Sequence, residues 1–319
     1  MLTRQEFIRQ SVIAAAGLTF LGCGEGADRG EADGGPTNAP EKTPAMSELP
    51  YLSTIGLQLW SVRDQMEKDP RTTLKTLSEI GYRQVELMDT THAAELVPIA
   101  REYGLAVNSS FINWNTVTGG WQYTPDTAPF EFDEVIDQAG EHGIDYLIFG
   151  YLRPEERTSA DDWKRLADQL NEAAQRAGDN GLKMAYHNHN FEWDPVEGTT
   201  GFDLLTERMD GGLVPWELDV FWAAIAGQDP KSIMDAAKDR LELLHLKQLK
   251  PGTAPVTRID DVPADSFEEL PNGDLPIKAY MELGKRYGVA HCMVEQDGNY
   301  AASSLASVEE SINFLRKNS

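Results

Sequence analysis

Apolar and polar positions fall into two kinds of block along this chain. Short apolar runs of strand length recur at 55–60, 84–87, 105–109, 146–149, 183–187, 214–220, 241–246 and 291–295. Between them lie longer stretches whose apolar residues are three or four apart, such as Leu74, Leu77 and Ile80, or Leu166, Leu170 and Ala174, the period of a helix with one buried face. Helix starts are marked at Asp69-Pro70 and Asp229-Pro230, where a capping carboxylate precedes a proline suited to the first turn, and by a capping box from Ser307 to Glu310. Stops recur as EIGY, EYGL, EHGI, DNGL and RYGV, at Gly81, Gly104, Gly143, Gly181 and Gly288, where a left-handed glycine closes a helix just before a strand.

Strict alternation of helix, glycine and strand predicts parallel βαβ units. Eight of them predict a closed (β/α)8 TIM barrel filling one domain over 51–319. A doubly wound open sheet is the competing architecture, but GLQLWSVRD follows the first run where a glycine-rich phosphate loop would stand.

The first 50 residues read differently. Arg4 and Arg9, an apolar stretch over 12–21 and Gly22-Cys23 resemble an export signal over 1–23, of the lipoprotein type with Cys23 as the lipidated residue, and TRQEFIR resembles a twin-arginine signal with Gln5 in place of the second arginine. Residues 24–50, rich in Gly, Pro, Glu, Ala and Asp, cannot bury enough apolar surface to order themselves and read as a linker. Periplasm or cell envelope is therefore the expected location, with the membrane reached only through a lipid on Cys23. The second cysteine, Cys292, has no partner for an intrachain disulfide if Cys23 is acylated and is expected in the core. The 319-residue chain carries a formal charge of −24, which disfavours nucleic acid as a partner.

Catalytic groups of such barrels sit at the C-terminal ends of the strands. Those ends deliver Glu86, then His187 and His189 in YHNHNFEW, Asp219 in WELDV, His245 and Lys247 in LLHLK, and Glu295 followed by Gln296 and Asp297 in MVEQD. Residues two apart on a strand share a face, so His187 and His189 project together while Asn188 turns away. His187, Asp219, His245 and Glu295 come one from each of four consecutive strands, a set suited to a divalent ion such as Zn, Mn, Co or Fe(II). A polar barrel mouth without an ion is the alternative. Trp60, Trp114 and Trp121 stand near the upper rim, where they could stack on a ligand or pack under loops.

Taken together, GLQLWSVRD, IGYRQVELMD, YHNHNFEW, LDVFWAAIAGQDP, LLHLKQ and MVEQD resemble the sugar phosphate isomerase/epimerase family with the xylose-isomerase-like TIM barrel. The resemblance implies a divalent ion held by a glutamate, an aspartate, a histidine and a glutamate from strands five to eight. The last three fall on Asp219, His245 and Glu295, whereas the first falls on His187. FINW at 111–114 and Trp222 stand where many members carry histidines.

The implied chemistry is proton abstraction next to a carbonyl, with the ion polarising that carbonyl as an enediolate forms. Glu295 and Glu86 are the candidate bases, His189 the group serving a leaving hydroxyl, and Lys247 either an oxyanion partner or one half of an ion pair. The expected substrate is a small keto-sugar or oxidised glycoside, turned over by isomerisation, epimerisation or elimination. A carbohydrate-binding lipoprotein without turnover is the alternative, and a nuclease of the related barrel would need a cationic groove that this chain lacks.

Overall fold

The computed structural model describes residues 49–124 and 127–317. The export signal and nearly all of the linker lie outside them. Eight parallel strands close into a barrel: β1 (Gly56–Gln58), β2 (Gln84–Leu87), β3 (Ala106–Phe111), β4 (Tyr146–Phe149), β5 (Lys183–His187), β6 (Trp216–Asp219), β7 (Leu241–Leu246) and β8 (His291–Val294), with β8 hydrogen-bonded back to β1. One principal helix follows each strand: α1 (Pro70–Ile80), α2 (Ala93–Glu102), α3 (Phe132–His142), α4 (Ala160–Asp179), α5 (Gly201–Arg208), α6 (Pro230–Ala237), α7 (Ile277–Tyr287) and α8 (Ser304–Arg316).

The local signals act as their chemistry requires. Asp69 and Asp229 cap α1 and α6 by accepting backbone N–H groups, and the five stop glycines all take positive φ, from 60° at Gly143 to 112° at Gly81. One cap is corrected. Ser303, not Ser307, starts α8, while Ser307 lies inside it and donates its hydroxyl to Glu269 Oε1 at 2.6 Å.

β1 and β6 stop short of the ends of their apolar runs because a polar residue ends each by capping a helical turn. Gln58 Oε1 accepts from Trp60 N at 2.9 Å, and Asp219 Oδ1 accepts from Phe221 N at 2.9 Å and Trp222 N at 3.0 Å. The alternation of the strands builds two apolar layers. Outward residues such as Val85, Leu147, Tyr186, Leu218, Leu244 and Cys292 pack against the helices, and Cys292 is a buried free thiol. Inward, Phe111, Tyr146, Ile148, Ala185 and Leu243 plug the barrel interior. Above that plug the inward positions become polar, which places the site.

Candidate functional site

Burial brings five strand ends into direct side-chain contact. His187, Asp219 and His245 each offer one ligand atom, and these atoms lie within 4.8 Å of one another. His187 Nε2 and His245 Nδ1 are each 3.9 Å from Asp219 Oδ2, while Glu295 Oε2 is 2.8 Å from His245 Nδ1. All four side chains are buried. The four donors read from the ends of strands five to eight are thus gathered around one small space.

Glu86 occupies a different place from the other rim residues. Its carboxylate accepts from Gln58 Nε2 at 2.8 Å and Ser109 Oγ at 2.6 Å, and it pairs with His245 Nε2 at 2.7 Å. His245 therefore spans two carboxylates, Glu86 on one nitrogen and Glu295 on the other. His189 stacks on Phe191 with an interplanar angle of 8°, and its ring centroid is 5.1 Å from that of His187 and 5.0 Å from that of Trp222. Lys247 Nζ lies 3.1 Å from Asp219 Oδ2 and 3.0 Å from both Glu295 Oε2 and Asp297 Oδ2. The ion-pair role of Lys247 is thus the one its surroundings provide.

The aromatic candidates divide. Trp60 carries the Arg63 guanidinium at 4.2 Å from its ring, Trp114 meets Tyr151 edge-on at 5.0 Å, and Trp121 packs on Phe130. Trp222, by contrast, faces both His189 and the Lys247 ammonium, the latter at 5.2 Å. Glu192 is buried beside the site without entering it, because its carboxylate accepts from Tyr186 Oη at 2.8 Å and His189 N at 3.0 Å.

Glu217 is the residue that choosing one donor per strand passes over. It lies two before Asp219 on β6 and hence on the same inward face, where Oε2 is 3.0 Å from His187 Nδ1 and Oε1 is 3.3 Å from His245 Nε2. The alternation within WELD carried that signal.

Electrostatics follow from crowding in a buried interior. Burial pushes the His187 pKa well below the ordinary imidazole range, aided by the neighbouring His245 and His189. Burial opposes the charged form of His245 too, but Glu217 and Glu86 outweigh it and hold that pKa well above the ordinary range. Burial, with Glu86 alongside, pushes Glu217 up to about 8. Burial also raises Asp219, against the pull of Lys247 and His245.

Glu86, Glu217, Asp219, Glu295 and Asp297 thus crowd around the side chains of Lys247 and His245. Among the described residues the buried Nε2 of His187 has no hydrogen-bond partner. A neutral imidazole nitrogen of this kind, beside a surplus of carboxylate, fits a divalent cation with mixed nitrogen and oxygen ligands.

Residues 74–318 match the family model of the xylose isomerase-like TIM barrel. An inosose dehydratase from Clostridium beijerinckii is 32% identical over 90 residues, 28% of this chain and 30% of that protein. The aligned stretch therefore spans about a third of that relative. The crystal structure of a sugar phosphate isomerase/epimerase from Parabacteroides distasonis superposes with a TM-score of 0.66 at 22% identity, covering 87% of this chain and 98% of that one. The IOLI protein, solved with a bound zinc atom, superposes with a TM-score of 0.59 at 13% identity over 82% of this chain and 95% of its own.

Proposed function

The chain belongs to the xylose isomerase-like TIM barrel family, and from that premise we propose that it is a divalent-metal-dependent isomerase, epimerase or dehydratase acting on a small keto-sugar or keto-polyol. The observation that carries this reading is the approach of His187, Asp219 and His245 to within 4.8 Å in a buried space short of positive charge. A zinc atom in the IOLI protein and the name of the inosose dehydratase relative support it. In this reading His187 Nε2, Asp219 and Glu295 would hold the ion together with His245, whose Nδ1 would give up its proton as the ion binds. When bound, it supplies Lewis acidity at a substrate carbonyl.

The remaining steps belong to the chain's own side chains. Glu295 removes the proton from the carbon next to the carbonyl, the Lys247 ammonium holds Asp219, Glu295 and Asp297 in place through its ion pairs, and His189 serves a departing or exchanging hydroxyl. Glu86 is saturated by Gln58, Ser109 and His245, so its role is to hold His245 rather than to move substrate protons. Trp222 supplies an apolar face at the mouth. Elimination is favoured over epimerisation because the second buried acid of an epimerising pair is replaced at the end of β5 by His187. With an export signal at 1–23 the substrate is unphosphorylated, and recovery of the native protein in the cytosolic fraction would remove that part.

The test combines elemental analysis of the purified chain with solvent-deuterium exchange against inososes, 3-keto-glucosides and free ketoses. We expect deuterium on the carbon next to the ketone, abolished by chelator and restored by Mn2+ or Zn2+. Tight metal retention without exchange on any of these ketones would instead make the protein a binder.

A further inference from the structure

We infer that Glu217 is a positioning residue that fixes the tautomer of His187, setting which ring nitrogen carries the proton and which presents a lone pair to a divalent cation. It deepens the metal site proposed above and rests on that reading for its use, but the tautomer itself is a property of the chain with or without an ion.

The two residues face each other by construction. In the β5–β6 ladder His187 is the register partner of Glu217, and the side chains continue the pairing that the backbones begin. Both are buried. One residue further on, Asn188 ties the same two strands together, its Oδ1 accepting from Asp219 N at 3.0 Å and its Nδ2 donating to Asp219 O at 3.2 Å. The imidazole of His187 is therefore held between two fixed points. Nδ1 meets Glu217 Oε2 at 3.0 Å, and Nε2, without a hydrogen bond, points into the space 3.9 Å from Asp219 Oδ2.

Against the ionised Glu217 carboxylate, an imidazole with one N–H places it on Nδ1, facing Oε2, and leaves the lone pair on Nε2. A carboxylate behind a ligating histidine is a recurrent way of orienting the ring and raising its basicity. The other Glu217 oxygen, Oε1, turns toward His245 Nε2 at 3.3 Å, whose nearer partner is Glu86 at 2.7 Å. Without Glu217, Asp219 Oδ2 would be the remaining acceptor beside His187. The proton would then move to Nε2 and block the coordinating position.

The experiment uses the full-length apo protein labelled with 15N-histidine, His187→Gln to assign the His187 resonances, and calorimetric titration with Zn2+ or Mn2+ alone. We expect the wild-type His187 ring to show Nδ1–H. Glu217→Met, which keeps the volume and removes the acceptor, should move the proton to Nε2 and weaken cation binding by about 10–100-fold. Glu217→Gln, whose amide oxygen can still accept, should keep Nδ1–H and most of the affinity, an ordering that a role through charge alone would not produce.

Wild-type protein with Nε2–H, or Glu217→Met with Nδ1–H retained, overturns the inference. So does Glu217→Gln behaving like Glu217→Met. If the wild type binds neither ion, the metal reading of the site fails while the ring-nitrogen shifts still decide the role of Glu217. Should Glu217→Met not fold, the wild-type and Glu217→Gln spectra suffice for that decision.

Discussion

The two ends of the barrel are built from the same kinds of polar residue and differ in how completely they satisfy each other. At the N-terminal end, Gln84 Nε2 donates to Thr54 O at 2.5 Å and Asn108 Nδ2 to Gln84 Oε1 at 2.7 Å, while Tyr146 Oη and Lys183 Nζ both reach Glu242 Oε2, at 2.6 Å and 2.5 Å. Donors and acceptors match there. At the C-terminal end, carboxylates outnumber cations, a buried imidazole nitrogen lacks a hydrogen bond, and an ammonium is shared by three acids. A matched end stabilises the fold; an end with surplus acceptors has capacity left for a ligand.

This difference can be broken most severely at Lys247. Lys247→Met leaves Asp219, Glu295 and Asp297 without their shared ammonium, and loss of one partner from such a buried cluster should cost about 4–5 kcal/mol in metal-free buffer. Denaturant titration with and without Mn2+ reads the effect. Added ion should recover more stability in the variant than in the wild type, and equal recovery would detach Lys247 from the ion site.

His245→Ala should cost somewhat less, about 3–4 kcal/mol, because Glu86 keeps Gln58 and Ser109 as donors. It should also abolish metal retention in elemental analysis. A variant holding a full complement of ion would exclude His245 from the ligand set.

Glu192 gives the pH prediction. Burial raises its folded-state pKa from the model-peptide 4.5 to about 7, so the folded chain keeps a proton that the unfolded chain releases. The stability it contributes is fully present below about pH 4.5 and is lost as pH rises through 7, a change of about 3 kcal/mol. Glu192→Gln should flatten that part of the pH profile in denaturant titrations between pH 5 and 8; an unchanged slope would place the titrating group elsewhere.

At the matched end the effects should be small. Tyr146→Phe removes one hydrogen bond to Glu242, which keeps Lys183, and should cost about 1 kcal/mol with no change in metal content. A loss comparable to that at Lys247 would erase the contrast between the ends.

Much of the site is legible in the sequence. A strand's period of two shows which residues face inward, so Asp219, His245 and Glu295 could be read from WELD, LLHLK and the residue after MV. Glu217 was equally legible by that rule, and only the habit of choosing one donor per strand hides it. The cap of α8 misleads for a local reason, since Ser303 and Ser307 both offer a hydroxyl four residues apart and only packing against Glu269 distinguishes them.

The sequence by itself determined the alternation of strands and helices, the glycine stops, the closed barrel these imply and the inward face of every rim residue, because each depends on neighbours a few positions away. Only the tertiary structure decided that Glu86 turns to His245 across 159 positions of chain, that Lys247 is enclosed by three acids, and that Glu217 rather than solvent meets His187 Nδ1. The physical reason is that periodicity specifies a face and not a partner. Which side chains touch across a barrel depends on strand register and rotamer, and those are fixed by the packing of the whole closed sheet.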